Sequence, residues 1–494
     1  MLDRNHRFSE KGTISLTVLL AVLLAASSCG SSAAPANEDE TADSVSVSPT
    51  ETEPQYVMWQ NLPETDLGGY EFHIIESPRA ANTGATVLHG DAEALTGEAI
   101  NDAIYNRNLA VEDRYNCVIS TVSDSAAKDK VIRSVKAGDD AYAAVLDNPT
   151  YMMQMALEND LLNLYNVKYI DLSNPWYNQN QVSTFTIQDK LYFFMGDFSY
   201  STLMFGACLI YNVELAERLD IPYIYDIVMD GKWTIDKMYE ITANVSQDLD
   251  GDGKFTEGTD RFAYAIGDFG NLMNFWFSSD SNFIGYDKAS GTFVDTFDTD
   301  KVQSIVEKMN RVFNEDHRGI LAKDHTALFN GCETLMRSAY VGSCINHRDM
   351  ADTFTPIPYP KFDEGQDGYR SMMTGSALPV GIPTTVADPD SVGLIMEALS
   401  ESSAGELNDA VYERVLSYQT MRTEDALDSL RVIHKSLIID FGYLTLSGKG
   451  DPMKWVVGNL VKKNSTDVAS YYASYIGAVT DFYGDLIEKF SELE

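Results

Sequence analysis

Basic residues are scarce in this chain. Its 494 residues hold 36 Lys and Arg against 74 Asp and Glu, a formal net charge of −38. Such a surface repels phosphate backbones and anionic bilayers, so nucleic acid is excluded as a direct ligand. Cysteine is scarce as well: Cys29, Cys117, Cys208, Cys332 and Cys344 make five, and their spacing matches no zinc site. No nucleophile elbow, zinc-protease motif or phosphate loop occurs, and there is no internal repeat. The apolar run over 14–26 is too short for a comfortable permanent bilayer span. What is present is ample core material, 44 % apolar and 11 % aromatic residues, in a chain too long for one compact core. Two or more lobes are expected.

The first residues read as a targeting segment. Arg4, Arg7 and Lys11 precede the apolar run, and Leu24-Ala25-Ala26-Ser27-Ser28-Cys29-Gly30 follows it. Small residues before a cysteine resemble a bacterial lipobox, although Ala26 stands where leucine is more usual. Cleavage before Cys29 with lipid on its sulfur is expected, giving a signal peptide over 1–28 and a cell-membrane anchor. Residues 29–68 then read as an acidic, disordered tether, rich over 31–56 in Ser, Thr, Pro and acids. In an exported chain Cys332 and Cys344 form the one close pair for a disulfide; otherwise the thiols serve as small buried hydrophobes.

The body alternates strand and helix: a strand from Tyr70 to Ile75, a helix over 98–116, a strand over 117–122, a helix ending at Gly138 and a strand over 142–146. That order predicts an α/β fold with a parallel layer. A hairpin is expected around Gln188-Asp189-Lys190, and Thr234 is placed to cap a helix over 234–245. The apolar stripe Val468, Tyr472, Ile476, Val479, Tyr483, Leu486 and Phe490 predicts a long amphipathic helix packed on the core.

Between them lies Asp248-Leu249-Asp250-Gly251-Asp252-Gly253-Lys254, the opening of an EF-hand calcium loop. Alternate aspartates wrap hard oxygens around one point, as calcium requires. Thr259 stands where the bidentate glutamate belongs, and Arg261 to Gly267 reads as a strand rather than an exiting helix. A structural calcium is therefore expected, not a sensor, with Asp248, Asp250, Asp252, the Lys254 carbonyl, Thr256 and Glu257 as ligands and Asp260 in reserve.

Several segments together resemble the extracellular solute-binding lipoproteins of ABC transporters, family 1, in the maltose- and oligosaccharide-binding cluster. They are Leu95-Thr96-Gly97-Glu98-Ala99-Ile100-Asn101-Asp102, Arg107-Asn108, Lys136-Ala137-Gly138-Asp139, Leu209-Ile210-Tyr211-Asn212, Gly231-Lys232-Trp233-Thr234 and Ile357-Pro358-Tyr359-Pro360-Lys361. The resemblance spans nearly all of 69–494. It implies a periplasmic-binding-protein type II-like fold: an N-lobe over 69–198 and 370–410, a C-lobe over 199–369 and 411–494, and ligand in the cleft between them. The chain would cross between lobes near 196–202, 356–371 and 403–414.

The implied function is capture of a carbohydrate and its delivery to permease subunits by an extracytoplasmic, monomeric, non-catalytic protein. A ligand-presenting partner of a membrane sensor is the alternative. A surface glycoside hydrolase would need two carboxylates flanking a scissile bond. Candidate ligand residues are Trp276, Trp176, Tyr177, Arg348, Tyr369 and Tyr340.

Overall fold

Alternation drives Phe72, Ile74 and Ile75 of Tyr70–Glu76 (β1) into the interior. A computed structural model of the chain describes residues 58–78, 90–421 and 425–493; the leader, Cys29 and the tether before residue 58 lie outside the described residues. Helix α1, Ala99–Tyr115, returns over the sheet and buries Ile100, Ile104 and Val111. Asn116 reverses the chain in the left-handed conformation into β2, Cys117–Ser123. Helix α2, Ala127–Ala137, ends as expected at Gly138, whose φ of 71° suits a residue without a side chain. After it come β3, Ala144–Leu146, α3, Pro149–Leu157, α4, Gln179–Phe185, and β4, Phe193–Phe194.

The second half opens with a short helix, α5, Ser201–Met204. Then come β5, Ala207–Asn212, and helices α6, Val213–Arg218, α7, Ile224–Met229, and α8, Ile235–Ile241. Thr234 caps α8 as expected, accepting a hydrogen bond from the Lys237 N–H. Strand β6, Phe262–Ile266, follows the acidic loop, then α9, Met273–Ser278, and the hairpin β7, Ile284–Asp287, with β8, Thr292–Asp295. Next are α10, Thr299–Asn310, β9, Gly319–Leu321, α11, His325–Asn330, β10, Thr334–Tyr340, β11, Phe354–Ile357, β12, Ser371–Met372, and β13, Val380–Gly381. Helices α12, Pro389–Ser402, and α13, Asp425–Lys435, lead to β14, Leu437–Ile438. The chain continues in α14, Phe441–Thr445, α15, Val456–Lys462, and α16, Val468–Glu492.

Two five-stranded sheets result, in the orders β2-β1-β3-β13-β4 and β9-β6-β10-β5-β11. They share one plan. In each, a central strand pairs in parallel with two others, β1 with β2 and β3, β6 with β9 and β10. A reversed strand then pairs antiparallel on both sides, β13 in the first and β5 in the second. The reversed strand of the first sheet, β13, lies across two crossings from the rest of that sheet, whereas β5 begins the unbroken run that holds the whole second sheet. The chain passes from β4 to β5 through 195–206 and from β11 to β13 through 358–379. It leaves again after α12, which packs on α1, and arrives at α13, which packs on β11.

The described body is one compact unit. Trp59 belongs to it: its indole N–H donates to the Ala398 carbonyl at 3.0 Å and Arg114 lies over its ring, so the folded body begins earlier than the expected boundary at 69. All four described cysteines are free, and Cys344 has Cys208 rather than Cys332 as its thiol neighbour. Cys332 lies 3.1 Å from the Asp352 carboxylate instead.

Candidate functional site

In open α/β sheets the carboxyl ends of parallel strands leave a crevice where backbone and loop groups are free to meet a ligand. Here α3 of the first sheet and α9 of the second both touch one helix, α14. On the first sheet β3 ends in Asp147 and Asn148; Asn148 caps α3 and Asp147 is buried, accepting from the backbone of Asn148 and Lys128. On the second sheet β6 ends at Gly267, Asp268 and Phe269, with Asp268 accepting from the Gly270 N–H at 2.6 Å. Strand β10 ends at the half-buried Tyr340.

Helix α14 sits between these rims. Thr150 of α3 donates to the Leu444 carbonyl at 3.1 Å, and Tyr443 packs on Phe277 of the opposite lobe at 6.0 Å. Trp455 crosses Tyr443 at 5.8 Å and 80°. Glycine at 270 leaves room for this: a Cβ there would stand 2.8 Å from Asp268 Oδ1 and 3.2 Å from the Trp455 ring. Lys454 lies over the Tyr443 ring but is tied to Asp451 at 3.1 Å, which also accepts from the Trp455 indole N–H. Burial pushes the Tyr443 phenol up to about 12, with Asp451 adding to it, and the Tyr340 phenol higher, with Tyr443 adding to it. Both phenols therefore stay neutral. Burial also pushes the Asp440 carboxyl up to about 7. Along Ile438 and Phe441 a second opening of about 290 Å³ separates α4 from the segment 280–286, with Asn180, Asp280, Asn282 and Arg370 on its walls.

Of the six expected ligand residues, the structure brings Tyr340 alone to the strand ends. Trp276 has no exposed surface; it stacks on Phe277 at 5.0 Å and touches Phe283 and Phe297, so it is core. Trp176 and Tyr177 are held inward by the Glu397 carboxylate, which accepts from both. An edge of Trp176 borders a different crevice of about 470 Å³ beside Asp197 and His434. Tyr369 donates to the Val228 carbonyl and accepts from the Trp233 N–H, a packing role. Arg348 has 65 % of its side chain in solvent, next to Asp349. Tyr443 and Trp455, which the structure adds, carry no local signal beyond being aromatic. Their place depends on packing against Gly270 and Phe277, far off in sequence.

The acidic loop is helix–loop–strand, as read. Oxygens of Asp248, Asp250 and Asp260 converge within 4.8 Å, a donor set of hard oxygens that fits calcium. Asp248 and Asp250 belong to the expected set, and Asp260 is the residue held in reserve. Asp252 turns to the Lys254 N–H and Glu257 toward the Asp324 N–H, while the buried Asp260 holds Leu249 N–H and Thr256 N–H and faces the cluster.

No protein-family model and no curated protein matches this chain. Its fold has close structural parallels. The cyclic alpha-maltosyl-1,6-maltose binding protein of Arthrobacter globiformis superposes with a TM-score of 0.57 at 13 % identity, over 85 % of this chain and 100 % of that one. The GacH receptor of Streptomyces glaucescens, solved free and with acarbose, gives 0.51 at 11 % identity, over 84 % and 99 %. UgpB from Mycobacterium tuberculosis, solved with glycerophosphocholine, gives 0.52 at 12 % identity, over 83 % and 99 %. The chain thus has the two-lobed, periplasmic-binding-protein-like fold of these solute-binding proteins. No described helix is long and apolar enough to cross a membrane.

Proposed function

We propose that this protein captures an oligosaccharide between its two lobes, outside the cytoplasm, and hands it unchanged to the permease of an ABC importer. The observation that carries this reading is the pair of crossed aromatic rings, Tyr443 and Trp455, set between the facing strand ends. Sugar rings present C–H faces that stack on aromatic rings, and their hydroxyls meet planar polar groups. The fold itself is neutral between solutes, since one structural parallel holds a phosphodiester. The charges favour a neutral ligand. Among the described residues of the rim, the cation Lys454 is neutralised by Asp451, and Asp440 is a nearby carboxyl. Lipid on Cys29 would hold the body at the membrane surface, and calcium held by Asp248, Asp250 and Asp260 would brace the loop that leads into β6.

Isothermal titration of residues 57–494 with maltotetraose, a cyclodextrin and glycerophosphocholine tests the reading. Saturable binding of a glycan, recovered intact afterwards, is the expected result. Binding of glycerophosphocholine alone would overturn the carbohydrate assignment, and released sugar would overturn the non-enzymatic one.

A further inference from the structure

Hinge motion in a two-lobed protein is limited by whatever else joins the lobes besides the crossing segments. Helix α16 makes such a connection. Its first turns belong with the second sheet's helices. Tyr472 stacks on Phe297 at 4.8 Å and 19°, and Tyr471 donates to the Pro452 carbonyl at 2.7 Å and accepts from Asn459 at 2.8 Å. Its middle lies on α14 through Tyr483, whose hydroxyl is 3.0 Å from that of Thr445.

Its last turn reaches the first sheet. Gln188 donates to the Ser491 hydroxyl at 2.9 Å, Lys190 donates to the Leu493 carbonyl, and Phe490, 1 % exposed, packs against Tyr192 at 6.3 Å. The receiving element is a rigid tight turn that feeds β4, with Gln188 and Asp189 both at positive φ and Ile187 paired to Lys190. The same turn is gripped from the second half by Tyr286, whose hydroxyl accepts the Gln188 N–H at 3.1 Å. Between α3 and the middle of α16 a cavity of about 280 Å³ is left open. The helix therefore does not lie flat on the first lobe along that stretch and grips it beyond the gap, by its end.

We propose that α16 is a strap: a non-covalent connection between the lobes, beyond the three crossings, that holds the ligand-free protein in a narrow range of lobe angles. Rotation about the three crossings must release the Gln188, Lys190 and Tyr192 contacts or bend the helix. The strap restrains the hinge whatever the solute proves to be.

The test uses ligand-free protein. Spin labels are placed on Leu109→Cys in α1 and Leu321→Cys in β9, which are 43 % and 46 % exposed, with Cys332→Ser to remove the half-exposed thiol. Double electron–electron resonance then reads the interlobe distance in the labelled parent, in a chain ending at Ile487, and in the full chain carrying Phe490→Ala with Gln188→Ala. A narrow distribution in the parent is expected, with the off-peak population rising roughly tenfold in both variants while thermal melting stays cooperative. An unchanged distribution in a folded variant overturns the strap. The double substitution decides the matter if the shortened chain fails to fold. No sugar enters the measurement, so its failure and the failure of the carbohydrate reading are separate results.

Discussion

Glu397 offers a direct check on how this fold tolerates a buried carboxylate. It lies on α12, 2 % exposed, and accepts hydrogen bonds from Asn174 at 2.7 Å, Trp176 at 3.2 Å, Tyr177 and the Asp171 N–H, with no cation among these partners. Burial pushes its pKa from 4.5 to about 7, against the pull of the four donors. The folded state then keeps a proton that the unfolded chain has lost. Stability from this group is complete below pH 4.5 and is lost as pH rises toward 7. A shift of roughly 2.5 units amounts to about 3 kcal/mol. The parent's own pH profile hides this. Asp197 and Asp440 shift the same way, while burial lowers His325, His347 and His434 to about 4, 3 and 4, so their contribution runs the other way, lost as pH falls below 6.5. The useful quantity is the stability gap between the parent and Glu397→Gln, from urea unfolding at pH 4.5 and pH 8. Whatever the amide costs by facing four donors cancels in the comparison. The parent's advantage should shrink by about 3 kcal/mol at the higher pH. A constant gap, or one that grows with pH, would show that the donors outweigh burial and hold Glu397 ionised.

Three further outcomes separate packing from binding. Trp455→Ala and Tyr443→Ala should each weaken glycan binding about tenfold, a loss of roughly 1.4 kcal/mol, in titrations of cooperatively melting protein. Trp276→Ala should instead cost about 3–5 kcal/mol of stability, measured by urea unfolding, and leave affinity unchanged wherever the protein remains folded. Calcium should raise the melting temperature, by the equivalent of about 2.7 kcal/mol at a hundredfold excess over its dissociation constant, and Asp260→Asn should abolish that shift. A melting curve indifferent to calcium and chelator would remove the metal from the account.

The parallel strands of the first sheet could be read from the sequence because their information is local. Alternation in Tyr70 to Ile75, the apolar face of α1 and the stop at Gly138 each name an element without reference to anything distant. The acidic loop was legible for the same reason, down to the strand that replaces an exiting helix. Which carboxylates converge was legible in part: Asp260, held in reserve, is turned toward Asp248 and Asp250 by two backbone N–H groups, a tertiary detail. The tryptophan candidates show the limit of local reading: tryptophan in a loop or short helix suits a ligand platform and a core wedge equally well. Trp276 went to the core because Phe277, Phe283 and Phe297 enclose it. Trp455 took the rim because Gly270 leaves room there.

The shared sheet plan has a consequence for folding. In the first sheet β4 pairs with β13 and with no other described strand of that sheet, and β13 lies beyond the entire second sheet in the chain. The segment 58–206 thus contains the parallel strands but neither the reversed strand nor α12. Helix α12 buries Leu394, Ile395, Met396 and Leu399 in the core and packs on α1. At about 1.5–3 kcal/mol for each large side chain, losing these four alone removes roughly 6–12 kcal/mol, as much as a whole domain's margin. The fragment 58–206 should therefore lack a cooperative melting transition. Adding residues 374–421, which restore β13 and α12, as a separate chain should recover one. A fragment that melts cooperatively by itself would mean that β1, β2 and β3 with their helices suffice. The crossing strand would then serve the hinge rather than the core.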